Sequence, residues 1–198
     1  MKKLSLLAIG ITSAIFSFAQ NPVKLGIKAG LNVANLKVED FDNTDSRLGL
    51  HAGLLAHIHL APQWALQPEV LYSAEGAKFD LGNDEATIKN DYVNIPLMLQ
   101  YMFDNGFRLE AGPQLGLLVS SKIEDQDGNE EDADDTFKTT NVSIGFGLNY
   151  LTHSGFGVGG RYNLGVSNIA EGSGDTKGRV FQISLFYMFD NAHKAKSR

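Results

Sequence analysis

The 198-residue sequence contains no cysteine, five prolines and a single tryptophan. Without cysteine there is no disulfide scaffold, no thiolate nucleophile and no thiolate metal ligand. Basic residues are scarce as well: 17 Lys and Arg stand against 23 Asp and Glu. Nucleic-acid binding, which needs clustered cations to neutralise phosphates, is therefore disfavoured. Past residue 19 no apolar run approaches the length of a membrane helix.

The one long apolar run opens the chain. Lys2 and Lys3 precede it, Leu4 to Phe18 forms it, and Ser17-Phe18-Ala19 ends it with small residues at the positions a signal peptidase reads. Residues 1–19 are expected to be a secretory signal peptide cut before Gln20. The remainder divides into a barrel domain over 20–190 and a polar tail over 191–198. Loss of the leader removes two lysines and makes the mature chain still more acidic.

From Val23 onward the sequence alternates with period two. Leu25, Ile27, Ala29 and Leu31 face Gly26, Lys28, Gly30 and Asn32; Leu50, Ala52, Leu54 and Ala56 face His51, Gly53 and His57. The same pattern recurs from Trp64, Val93, Phe107, Val142, Phe156 and Phe181, giving eight strands in all. Short connectors lie at 61–63, 104–106 and 152–155, and long ones near 37–47, 78–91, 121–138 and 168–179. Long strands joined by alternately short and long connectors predict an eight-stranded antiparallel up-and-down transmembrane β-barrel of the outer-membrane type. Pro96, in mid-strand, predicts a bulge or bend.

Alternation alone does not say which face meets water. The polar face is rich in glycine and carries a few long charged residues, Lys28, Glu69, Arg108, Glu110 and Arg161. A crowded lumen needs that composition; a water-facing surface would be denser in Lys, Glu, Ser and Thr. The polar face is thus expected to point inward, with Lys28, Arg108 and Arg161 paired to Glu69 and Glu110 in the lower lumen below an open cup. Trp64, Tyr101, Phe107, Tyr150, Phe156, Tyr187 and Phe189 share the apolar parity and lie beside short connectors or at the end of the last strand. They predict a periplasmic aromatic girdle.

The chain also resembles the Bacteroidota-type outer-membrane β-barrel proteins labelled "porin family" or PorT-like. The resemblance rests on the signal followed by Gln20, then Leu66-Gln67-Pro68-Glu69-Val70-Leu71-Tyr72, Val93-Asn94-Ile95-Pro96-Leu97, Ala111-Gly112-Pro113, Arg161-Tyr162-Asn163-Leu164-Gly165-Val166 and Leu185-Phe186-Tyr187-Met188-Phe189, in that order over essentially the whole mature chain. It implies an outer-membrane barrel and no single activity. One departure is that nine residues follow Phe189, where barrels commonly end.

No catalytic, cofactor or metal site is expected. His57 and His59 sit two apart on one face with His51 further up, but a metal would need a third ligand from another strand. The acidic run 124–135 lacks the EF-hand glycine and glutamate: counted from Asp125, Glu130 and Thr136 stand at those places. It reads as a solvated loop. Gly157-Val158-Gly159-Gly160 precedes no helix and so forms no phosphate loop. The function expected is a small, closed, monomeric outer-membrane barrel of a Gram-negative bacterium, with a structural or surface-interaction role. Its partners are outer-membrane lipid and other envelope proteins, reached through the acidic loops. The alternatives are a narrow pore or export-machine component, or a ligand-binding barrel.

Overall fold

The computed structural model describes residues 23–38, 44–80, 85–133, 136–170 and 176–189. The expected leader, the tail and Asp134-Asp135 lie outside the described residues. In chain order the strands are β1 (Val23–Val38), β2 (Thr44–Ala61), β3 (Trp64–Asp80), β4 (Glu85–Met102), β5 (Phe107–Glu124), a short β6 (Glu130–Asp132), β7 (Thr140–Leu151), β8 (Phe156–Gly165) and β9 (Thr176–Met188). Each long strand pairs antiparallel with the next long one, and β1 pairs with β9, so the sheet closes on itself. β6 pairs only with the end of β5 and stands outside the ring. The eight-stranded barrel expected from the alternation is the fold.

Strands β2 to β5 have 17 or 18 residues, well beyond the roughly 9–11 a bilayer requires. The excess lies at the long-loop end, and it corrects two expected connectors. Residues 44–46 pair with 77–79, and the β3–β4 ladder runs on to Asp80 and Glu85. Much of 37–47 and 78–91 is therefore strand. Backbone hydrogen bonding continues there, while the side-chain alternation fades once neither face meets lipid.

The short turns are set by local chemistry. In both Phe103–Phe107 and Thr152–Phe156 the first N–H donates to the last carbonyl (2.9 and 2.8 Å), and the glycine N–H reaches back at 3.2 Å. Gly106 and Gly155 take φ of 91° and 88° there, a region costly for any residue with a Cβ. Pro96 produces no register shift: β3–β4 and β4–β5 keep one register on either side of it. Its missing donor is absorbed as a small gap in the β3–β4 ladder beside Pro68. The bulge in β4–β5 falls instead opposite Asp91–Tyr92, where Val119 is the extra residue. It turns Ser121 inward, where the hydroxyl donates to Asn90 Oδ1 at 2.8 Å.

Apolar residues cover the outside. Leu54 is 64% exposed and Leu115 41%, while their neighbours Leu55 and Gln114 are buried. A surface this apolar around a polar interior is the inverse of a soluble barrel and fits a hydrocarbon solvent.

Candidate functional site

Four charged side chains meet in the lumen: Lys28 on β1, Glu69 on β3, Glu110 on β5 and Arg161 on β8, all buried. Round the ring these strands alternate with β2, β4, β7 and β9. In a closed, tilted barrel the inward side chains at one level come from alternate strands, so the four form a single layer across the lumen. Arg161 Nη2 and Nη1 donate to Glu69 Oε1 and Oε2 at 2.7 and 2.9 Å, a bidentate pair, while Nε donates to Glu110 Oε1 at 2.7 Å. Lys28 Nζ lies 3.3 Å from both Glu69 oxygens. Gln67 and Gln100 complete the set, donating to Glu69 Oε1 at 2.7 Å and Glu110 Oε2 at 2.8 Å.

Glycine makes the space. Gly147 on β7 pairs with Glu110 on one side and Arg161 on the other. A Cβ there would sit 2.7 Å from Glu110 Oε1. Arg108 corrects the expected network. It stands one pleat nearer the short turns, and among the described residues its Nη1 hydrogen-bonds no carboxylate but reaches Met188 Sδ at 4.0 Å. The Glu110 carboxylate, two residues along β5, acts on Arg108 through its charge, without a hydrogen bond between them.

Above the charges a polar chain crosses the lumen. Asn163 donates to Gln182 (3.1 Å), Gln182 to Asn32 (3.1 Å), and Asn32 to Ser73 (2.9 Å). Ser73 and Asn94 both donate to Glu75 Oε1, at 2.9 and 2.8 Å. His51 is fixed within this chain, Nδ1 against Asn32 Oδ1 at 2.8 Å and Nε2 against Ser184 Oγ at 2.9 Å. Higher still, Leu36, Ala77, Phe137 and Ile169 form an apolar cluster backed by Phe79, Ile88 and Leu118. Phe137 and Ile169 come from loops, tied together by the Lys138 N–H to Ile169 carbonyl bond at 2.8 Å. The expected open cup is therefore corrected: loop residues fold into the mouth and cap it. Between cap and charges the lumen holds a cavity of about 10 Å³, room for about one water.

At the short-turn end the lumen opens into a vestibule of about 340 Å³ lined by Lys24, His57, His59, Arg108 and His153. The His57 and His59 rings meet edge to face, centroids 4.7 Å apart. His51 is committed elsewhere, so the three strand histidines do not converge, and among the described residues no set of three or more His, Asp or Glu is placed to hold a metal.

On the outer surface the girdle residues pair as rings. Trp64 meets Tyr101 at 5.1 Å, Phe107 meets Tyr150 at 5.1 Å, and Tyr187 contacts Phe156 at 4.7 Å and Phe189 at 5.5 Å. Phe103, which the strand alternation misses because it opens a turn, extends the first group against Tyr101 at 5.0 Å.

The acidic loop begins as a hairpin. Asp125 accepts from the N–H groups of Asp127 and Asn129 and from the Asn129 amide, which holds its carboxyl below the usual range. Glu130 takes Lys122 at 2.7 Å and Lys89 at 2.8 Å, and Lys89 also pairs with Glu124. The two ammonium groups hold the Glu130 carboxyl down at about 2, and Glu130 in turn raises Lys122.

A model of the "Outer membrane protein beta-barrel domain" matches residues 18–171, which contain β1 to β8 and stop short of the closing strand β9. No curated protein matches the chain. Among solved structures the chain is similar to Neisserial surface protein A, with 11% identity and a TM-score of 0.56 over 85% of this chain and 99% of that one. It is also similar to Ail, the attachment invasion locus protein of Yersinia pestis, solved with the heparin analogue sucrose octasulfate. That match has 13% identity and a TM-score of 0.52 over 84% of this chain and 99% of the other. At such identities the likeness is one of fold. The family match spans most of the sequence, and the chain belongs to the outer membrane protein β-barrel domain family.

Proposed function

We propose that the protein is a closed, monomeric outer-membrane barrel of a Gram-negative cell whose work is done at its surfaces, as a structural element or a docking partner for other envelope components. The observation that carries this is the layer in which Arg161 ties β8 to Glu69 across the lumen, with side chains above it up to the apolar cap. A lumen filled in this way supports neither a pore nor solute transport. Its lumenal carboxylates are held by cations or amides, and we assign it no catalysis and no cofactor.

Residues 1–19 would direct export, and the short turns would face the periplasm, as in other outer-membrane barrels. The long loops then face outward. Between 121 and 138 two basic residues accompany eight acidic ones. A polyanion such as the sulfated ligand of the Ail structure would be repelled there, so the surface suits cationic partners instead. The PorT-like resemblance is compatible with this role. Liposome swelling with small sugars tests the closed lumen: the expected rate equals that of protein-free vesicles, and faster swelling would favour a pore or an export component.

A further inference from the structure

Among the described residues, the short-turn vestibule gathers more positive and imidazole groups than acidic ones. Lys24 comes from β1, His57 and His59 from β2, Arg108 from β5 and His153 from the β7–β8 turn; Asp104 is the one acid among the described residues that line it. Two further observations mark it as more than a mouth. His57 is fully buried, and although the Gln67 side chain faces it, neither ring nitrogen makes a hydrogen bond of normal length and angle among the described residues. Native proteins rarely leave such a group unsatisfied. Among the described residues no carboxylate hydrogen-bonds Arg108: Glu110 acts on it through charge alone, and its polar contact is the Met188 thioether at 4.0 Å, a weak acceptor. Glu110, two residues along the same strand, gives one oxygen to Arg161 and the other to Gln100.

We propose that this vestibule binds a phosphate group. A metal ion would be repelled by Lys24 and Arg108. A carboxylate presents two oxygens in one plane, whereas these donors come from four separate elements around the cavity and suit a tetrahedral anion with more oxygens. Leu151, Met188 and Phe189 line the same space and give it an apolar side. About 340 Å³ is enough for a phosphate carrying a small organic portion. With the short turns facing the periplasm, as proposed above, the source is either a soluble organic phosphate or a phospholipid headgroup of the inner leaflet. Phosphate binding itself does not depend on that orientation, nor on whether the lumen conducts.

The test uses the mature protein folded in maltoside micelles, which contain no phosphate, with the imidazole signals of His57 and His59 followed by NMR. Three probes are titrated separately: inorganic phosphate, glycerol 3-phosphate and short-chain phosphatidylglycerol. A saturable shift with either soluble probe supports the site and a soluble ligand. Saturation with phosphatidylglycerol alone supports the site and assigns it to a headgroup. Arg108→Gln should weaken the binding by about tenfold or more, the loss of one charge-assisted contact, while Lys122→Gln in the outer loop leaves it unchanged. The proposal is overturned if no probe moves these signals, if chloride at equal ionic strength moves them as far, or if folded Arg108→Gln binds as tightly as the parent. Should Arg108→Gln not fold, the parent titrations against chloride decide alone.

Discussion

Arg161 and Glu69 stand four strands apart in an eight-stranded ring, diametrically opposed, and still meet through two hydrogen bonds of 2.7 and 2.9 Å. An eight-stranded barrel is narrow enough for a guanidinium on one wall to reach a carboxylate on the other. That contact crosses the ladder network instead of following it, so it braces the cylinder against flattening. Removing either partner leaves a buried charge behind. Glu69→Ala or Arg161→Ala is expected to cost about 3–5 kcal/mol, whereas the double change Glu69→Ala/Arg161→Ala should cost less than the sum of the single ones. Reversible urea unfolding in lipid vesicles measures this, and simple additivity would argue against the pairing.

Gly147 and Gly160 make a matched comparison on adjacent strands. A Cβ at Gly147 would press on Glu110, with Oε1 at 2.7 Å and Cγ at 2.9 Å. At Gly160 the nearest atom is 3.7 Å away, an ordinary contact. Gly160→Ala should be neutral or stabilising by up to about 1 kcal/mol, and Gly147→Ala destabilising by about 1–3 kcal/mol. The midpoint of urea unfolding for each separates them, and equal midpoints would contradict the packing of the charge layer.

Lipid-facing positions carry their own test. Leu54→Arg and Leu115→Arg place a charge on the outward apolar band and should cost about 2–4 kcal/mol. Ser46→Arg, exposed on the extension of β2, should cost little. Folding yields into vesicles, read from the heat-shifted gel band, give the ranking.

Acid should loosen the outer hairpin before the barrel. The Glu130 carboxyl is held at about 2, below its ordinary 4.5, by Lys122 and Lys89. A depressed carboxylate stabilises the fold above its unfolded value, and that contribution fades as pH falls toward the folded one. Protection of the Ile123 and Glu131 amides is therefore expected to hold at neutral pH and to weaken between about pH 4 and 2, with Glu130→Gln shrinking the step to what the Asp125 carboxyl contributes. Hydrogen exchange measures it; an unchanged profile in the variant would remove Glu130 from the account.

Much of this fold is legible in the sequence because lipid on one side and a crowded lumen on the other impose a strict period of two. Leu54 against Gly53, or Leu115 against Gln114, is decided by that period alone. Where only one constraint acts, the sequence says less. The strand extensions around Ser46 and Thr87 are invisible because water lies on their outer face. The bulge at Val119 reverses parity without any residue that announces it. The partner choices in the lumen are equally hidden: Lys28, Glu69, Glu110 and Arg161 share a layer through the tilt of the strands, which composition does not encode, and Arg108 misses that layer by one pleat. Phe137 and Ile169 lie in irregular loops, where an apolar residue carries no period that would mark it as part of a cap.

Closure of the lumen by side chains predicts an electrically silent barrel. In single-channel recording across planar bilayers, the folded protein should give no steady conductance at any holding potential that the bare bilayer tolerates. Reproducible, ohmic openings from the protein with Arg161 and Glu69 intact would mean that the charge layer does not seal the barrel.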